Sequence, residues 1–354
     1  MQYDEQKIQD FMTRMVGEFG AVASAPLIAL GDRLGLYKAM KEQDWMTSEQ
    51  LAERTGFAER YVREWLAAQA ASGFIHYEAG SARYRLDNEM AMCFAEKTSP
   101  TFIPGFCDCA KAMFRGLPKL EAAFRTGLGV GWHEQHPSLF KGTERFFRPG
   151  YAAHLVDEWI PALDGVDARL RQGGARVADV GCGHGASTVL MAQAYPEAIF
   201  FGFDYHEPSI LIARDRAREA GVADRVRFEV GSAQQFPGGD YDLVTFFDCL
   251  HDMGDPAGAV AHVLRTLKPD GSWMIVEPFA NDRLEDNLNS VGRVYYSAST
   301  MMICTAASLA QEGGRALGAQ AGETRLREVV NSGGFTRFRR ATQTPFNLVF
   351  QAQA

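Results

Sequence analysis

Val177-Ala-Asp-Val-Gly-Cys-Gly-His-Gly185 is the stretch on which the reading of this chain turns. A short apolar run ends in three glycines at alternate positions, and a helix is expected from about Ser187. Glycines at that junction let the backbone turn tightly and let a ligand approach the helix N-terminus. Outward from it, strand candidates recur at Arg176–Val180, Ala198–Asp204, Arg225–Val230, Tyr241–Phe247 and Ser272–Glu277, most of them separated by helical stretches. That alternation predicts a parallel, doubly wound α/β sheet with right-handed crossovers. Thr336–Thr342 and Asn347–Gln353 add two strands around Pro345. A seven-stranded domain with its last strand antiparallel is expected over 171–354.

The N-terminal 98 residues follow a helical pattern. One helix starts near Asp4, and another covers Ala21 to Met40 with Pro26 as a kink or boundary. Thr47-Ser-Glu-Gln50 fits a capping box, and that helix stops at Gly56. A second helix runs from about Ala58 to Ser72, closed by Gly73. Phe74–Tyr77 and Arg83–Leu86 then read as a hairpin, which completes a winged-helix plan. A DNA-reading helix needs a local excess of cations. This segment has 11 basic against 15 acidic side chains, and its second helix carries Glu59 and Glu64 beside Arg60 and Arg63. Residues 1–98 are therefore expected to pack and dimerise rather than bind nucleic acid.

Composition sets the outer limits. With 354 residues, Lys+Arg 36 and Asp+Glu 44, the net charge is −8, which gives no footprint for a polyanionic partner. The longest uncharged run near the start, Phe19 to Gly31, is short of the roughly 20 apolar residues of a membrane span. No secretory signal is read in the first ten residues, and the six cysteines form neither a disulfide framework nor a Cys-x-x-Cys pair. A cytoplasmic protein without a membrane partner is expected. Residues 99–170, rich in Phe, Gly and Pro, look like a helical connector that contributes to a substrate pocket. His133-Glu-Gln-His136 lacks the spacing and third ligand of a metal site, so no metal is expected. No Gly-x-Ser-x-Gly elbow and no phosphate-loop Gly-Lys-Ser/Thr occurs.

Asp204 closes the second strand of the α/β half, 25 residues after Asp179, where a carboxylate can take two ribose hydroxyls. Together with the glycines it points to an adenosine-type ligand at the carboxyl end of the sheet. A nicotinamide dinucleotide is the rival, because Gly181-x-Gly183-x-x-Ala186 also fits its pattern. Asp179 argues against it: an acid before the first glycine repels a pyrophosphate and welcomes an ammonium.

With these residues in place, the chain resembles the class I S-adenosylmethionine-dependent methyltransferases, and within them the winged-helix small-molecule O-methyltransferases with a Rossmann-like sheet. Val177–Gly185 looks like their first motif, Tyr241-Asp-Leu-Val244 like their fourth-strand motif, and Leu267-Lys-Pro-Asp-Gly271 like the turn before their fifth strand. Leu250-His-Asp-Met-Gly-Asp255 is similar to the segment that supplies the catalytic histidine, and Phe147-Arg-Pro-Gly-Tyr-Ala-Ala-His154 to one that reaches over the substrate.

The resemblance implies that Gly181, Cys182, Gly183 and Gly185 hold the methionyl part of S-adenosylmethionine, with Asp179 near its ammonium and Asp248 beside it. It places Asp204 and Tyr205 at the ribose and Ser232-Ala233-Gln234 along the adenine. His251 would be the general base and Glu277 its orienting carboxylate. An imidazole suits that task near neutral pH, since a phenolic acceptor with pKa near 10 must shed its proton. Phe147, Tyr151, His154, Tyr295, Met301 and Met302 are candidate wall residues for a small-molecule acceptor. The family's second orienting glutamate is matched only weakly, by Glu323. Methyl transfer to nitrogen, sulfur or carbon, or a cofactor-binding winged-helix regulator without transferase activity, are the alternatives.

Overall fold

The computed structural model describes residues 3–41 and 43–354. Two compact units emerge, one of residues up to Lys111 plus Lys141–Pro149, the other of Ala112–Phe140 plus Gly150–Ala354. The 99–170 segment is thus shared between them.

In the first unit, α1 (Glu5–Arg33) begins at an Asp4 cap whose carboxylate accepts from the Lys7 N–H. It continues through Pro26, where a kink or boundary was expected, and ends before α2 (Leu36–Lys41). The Thr47–Gln50 capping box forms as read, opening α3 (Ser48–Thr55), and Gly56 closes it with φ 73°. α4 (Glu59–Ala71), the hairpin β1 (His76–Glu78) and β2 (Arg83–Arg85), and α5 (Asn88–Phe94) complete the winged-helix plan. Tyr37, Leu51, Val62, Trp65, Leu66 and Phe94 form its core. On α4, Arg63 makes two bonds to Glu59 (2.8 and 2.7 Å) and Arg60 pairs with Glu64, so both arginines are engaged by acids of their own helix. Two longer helices follow, α6 (Gly105–Thr126) and α7 (Ser138–His154).

Among the described residues one helix, α1, is long and apolar enough to cross a membrane by length and composition. Uncharged runs alone hid this, because the 29-residue helix reaches the length by including isolated charges. Only 6% of its apolar window is buried, and Ile8, Phe11, Met12, Val16, Phe19 and Val22 are exposed.

In the second unit, α8 (Val166–Arg171) leads into β3 (Arg176–Val180), α9 (Ala186–Ala194), β4 (Ile199–Asp204), α10 (Glu207–Glu219) and β5 (Val226–Val230). β6 (Tyr241–Phe247), α11 (Pro256–Thr266), β7 (Leu267–Pro278), α12 (Ser290–Met301), α13 (Cys304–Leu309), α14 (Gly322–Ser332), β8 (Arg337–Gln343) and β9 (Asn347–Gln353) follow. The sheet order is β5-β4-β3-β6-β7-β9-β8. β3 through β7 pair in parallel, while β9 runs antiparallel to both neighbours. β6 is buried along its whole length, as a strand covered on both faces must be.

The turn expected at Leu267–Gly271 is instead part of β7. Tyr241 pairs with Leu267 but Leu243 with Ser272, so the extra residues bulge within the strand, a setting that tolerates Pro269. Strand order reverses on either side of β3, and crevices for ligands form at the carboxyl ends of strands at such a switch point. The glycine stretch leaves β3 there.

Candidate active site

Each glycine of the β3–α9 loop has a positive φ, 74° at Gly181, 52° at Gly183 and 77° at Gly185. A Cβ at Gly185 would lie 2.6 Å from Phe228, and one at Gly181 would lie 2.8 Å from Cys249 Sγ, so these two serve close packing. A Cβ at Gly183 would meet nothing within 4 Å, leaving that position as an open cradle for a ligand. The Gly181 and Cys182 N–H groups donate to the Phe203 carbonyl (2.7 and 3.0 Å), and the Gly183 N–H donates to Asp204 (2.9 Å). Three amides that could cradle a pyrophosphate are therefore already engaged within the fold.

Asp179 is fully buried under this loop. Its Oδ2 accepts from Ser187 and Thr188 (both 2.6 Å) and its Oδ1 from Thr245 (3.1 Å), tying the loop to α9 and β6. Burial pushes its carboxyl up to about 6 against the pull of those hydroxyls. It braces the loop through these hydroxyls, at the position expected to lie near the ligand's ammonium. Asp204 accepts from the Gly183 and His206 N–H groups, and burial raises its pKa too. Tyr205, beside it, is half-exposed. Ser232-Ala233-Gln234 follows β5, and the Gln234 amide donates to the Asp255 carbonyl (3.2 Å) across to the loop after β6.

Asp248 follows β6 directly in a left-handed conformation, φ 51°, that a non-glycine residue holds only under local constraint. Its carboxylate accepts from Tyr151 Oη (2.7 Å) and Asn347 Nδ2 (2.9 Å). Burial is the main reason its pKa reaches about 7. Asp252 rises to about 7 for the same reason, with Glu277 and Asp204 repelling its charge.

His251 lies on a 3₁₀ turn after β6 and is buried, as is Glu277 near the end of β7. Glu277 Oε2 is 2.6 Å from His251 Nδ1, and Glu277 Oε1 accepts the Leu250 N–H at 3.0 Å. Both carboxylate oxygens are thus fixed. An ionised carboxylate only accepts, so Nδ1 carries the shared proton and Nε2 is the working nitrogen. Burial pulls the imidazole's pKa down, but the charge of Glu277 outweighs it and holds it well above the ordinary range.

Nε2 is not left to solvent, since Cys304 Sγ lies 3.1 Å from it. Motif spacing gave no sign of this contact, which spans 53 residues and depends on α13 folding back over the β6–β7 loops. Glu323, the weak match to a second orienting glutamate, pairs with Arg327 and Arg340 instead.

The wall candidates divide. Tyr151 is buried and bonded to Asp248. Tyr295 is buried and donates to the Phe346 carbonyl (2.7 Å). Met301 packs with Leu120, Val130 and Ala306, and Met302 is buried. His154 stays half-buried, paired with Glu158 at 3.0 Å and stacked on Trp159. Phe147 belongs to the first unit, edge-on to Phe146. A cavity of about 450 Å³ lined by Phe279, Asn289, Val291, Gln343, Thr344 and Pro345 begins two residues beyond Glu277.

Comparison with known proteins places this geometry. Residues 171–334 match a family described as a methyltransferase domain, and residues 22–96 match an Rv2258c-like winged HTH domain. Among curated relatives, the 27-O-demethylrifamycin SV methyltransferase of Amycolatopsis mediterranei is 35% identical over 100 residues, 28% of this chain and 36% of that protein. The ubiquinone biosynthesis O-methyltransferase of Thiobacillus denitrificans is 33% identical over 133 residues, 37% of this chain and 55% of that protein. The chain spans roughly a third to a half of the length of these relatives. Human N-acetylserotonin methyltransferase in complex with S-adenosylmethionine superposes with a TM-score of 0.69, at 17% identity, over 97% of each chain. The mitomycin 7-O-methyltransferase MmcR gives 0.69 at 18%, over 99% of this chain and 100% of that one.

The fold agrees with both matches, a winged helix-turn-helix domain over residues 22–96 and a methyltransferase domain over residues 171–334. S-adenosylmethionine is the cofactor of such a domain, and the residues present suit it. Asp179 and Asp204 are buried, Asp248 and Asp252 half-buried, and the pKa values of all four lie above the carboxylate norm. A ligand with an ammonium and a sulfonium supplies the positive charge that such a cluster favours, and Gly183 leaves it room.

Proposed function

We propose that the protein transfers a methyl group from S-adenosylmethionine to a hydroxyl of a small molecule, with His251 as general base. The observation that carries this is the His251–Glu277 pair. Glu277 fixes the imidazole through Nδ1, so that Nε2 takes the acceptor's proton and the carboxylate steadies the imidazolium that results. The cofactor supplies an electrophilic methyl group when bound, and the protein's task is to orient and deprotonate the acceptor. Gly183 and Asp248 would hold the methionyl part, with Asp179 acting through the loop. Asp204 would take the ribose through its remaining lone pairs, and Ser232, Ala233 and Gln234 would flank the adenine.

Tyr151 shapes the acceptor's end of the site through Asp248, and Tyr295 and Met302 lie among its buried walls. The printed names of both curated relatives above describe O-methyl transfer or an O-demethyl substrate, which favours oxygen over nitrogen, sulfur or carbon. The exposed apolar stripe of α1 supports a homodimer, and six free cysteines suit a reducing cytoplasm. The paired arginines of α4 speak against reading DNA.

His251→Ala tests the proposal. Methyl transfer to a phenolic panel, followed with a labelled methyl donor, should fall about 10²–10⁴-fold while S-adenosylmethionine still binds. Undiminished turnover would remove the base assignment.

A further inference from the structure

Cys304 opens α13 and is buried, yet its sulfur faces the working nitrogen of an oriented imidazole. We propose that Cys304, His251 and Glu277 form a thiol–imidazole–carboxylate relay that makes Cys304 a nucleophile toward soft electrophiles, at the place where a methyl acceptor would meet the base. Only the last clause rests on the reading of His251 as base; the reactivity of the thiol does not.

The geometry separates Cys304 from the other buried cysteines. Cys109 has Thr143 beside its sulfur and, among the described residues, no imidazole, and burial pushes its thiol up to about 12. Cys182 lies within the glycine loop near Asp204 and Asp179, and burial with those charges pushes it up as well. Buried thiols of that kind are inert, whereas a thiol beside a basic or cationic nitrogen gains thiolate character. At Cys304, Sγ lies 3.1 Å from Nε2, and Glu277 holds the ring through Nδ1 so that Nε2 is the nitrogen turned to the sulfur. The raised pKa of His251 agrees with that arrangement.

Toward iodoacetamide the step balances. The thiol proton passes to Nε2, a sulfur–carbon bond forms at the methylene carbon, and iodide leaves with the carbon–iodine electron pair. An adduct at Cys304 then stands between the base and any acceptor.

The test is alkylation of the full-length protein by limiting iodoacetamide without cofactor, resolved by peptide mass spectrometry. Cys304 should be labelled at least roughly tenfold faster than Cys109 and Cys182, its equals in burial. His251→Ala should bring its rate down to theirs, with labelling at Cys93 and Cys109 unchanged as the check on folding. The proposal is overturned by a wild-type Cys304 no faster than Cys109, or by a rate that survives His251→Ala in a folded protein. Should that variant unfold, the wild-type comparison decides alone. Fast labelling without methyl transfer would keep the relay and discard the base assignment; slow labelling with His251-dependent transfer would do the reverse.

Discussion

His251 is gripped at one nitrogen and used at the other, and the grip sets both its tautomer and its pKa. The sign of the pH dependence follows. A base must be unprotonated, and Glu277 raises the imidazole's pKa, so turnover should climb with pH and its acid limb should lie above about 6.5. A rate profile flat from pH 6 to 9 would contradict this. Glu277→Gln makes a sharper change than loss of charge. With the Leu250 N–H still holding the amide oxygen, the side-chain NH₂ faces Nδ1 and drives the proton to Nε2, which then cannot accept one. Turnover should drop roughly 10³-fold with cofactor affinity kept; a drop of less than about tenfold would show that the tautomer does not matter. His251, Glu277, Asp204 and the glycines could be found in the sequence because each sits at a strand end with its own local motif. Cys304, Asn347 and the three hydroxyls on Asp179 could not, since they arrive from distant elements and no motif marks them.

At the level of elements, strand ends position the chemistry, and their registry depends on a few buried charges. Asp242, near the start of β6, accepts from Arg169 Nε (2.7 Å), Lys268 Nζ (2.8 Å) and the Arg176 N–H (2.8 Å), joining α8, β7 and β3. These contacts hold its pKa low although burial opposes them. Asp242→Asn should therefore cost about 2 kcal/mol in a denaturant melt at neutral pH, and less below the normal carboxylate range, where the wild type protonates too. An unchanged midpoint would mean that β6 needs no such anchor. The alternating pattern predicted all seven strands of this sheet within a few residues, because parallel strands buried on both faces leave apolar runs bounded by turns. It failed where tertiary pairing overrides local signals. Lys268-Pro-Asp-Gly271 reads as a turn but bulges inside β7, and Pro26, which reads as a kink or boundary, does not end α1.

For the whole molecule, the exposed face of α1 and the cofactor crevice each yield an expectation. Ile8, Phe11, Phe19 and Val22 recur at helical spacing on a helix with little burial of its own. Light scattering should give twice the 39.1 kDa chain mass, and Phe11→Glu with Phe19→Glu should halve it. A monomeric wild type, or retention by neutral phospholipid vesicles, would refute a homodimer through this face. The two domain plans were legible because each rests on local spacing: a capped helix pair with a hairpin, and strands alternating with helices. How α6 and α7 are shared between units was not, for long helices carry no signal of the contacts they will make. The central claim, an S-adenosylmethionine site built from the β3–α9 glycines and buried acids, is tested most directly by calorimetric titration with S-adenosylmethionine, S-adenosylhomocysteine and NAD in parallel. Saturable binding of the first two with none of NAD is the expected result. Binding of NAD alone would contradict the claim, and the role given to His251 would fall with it.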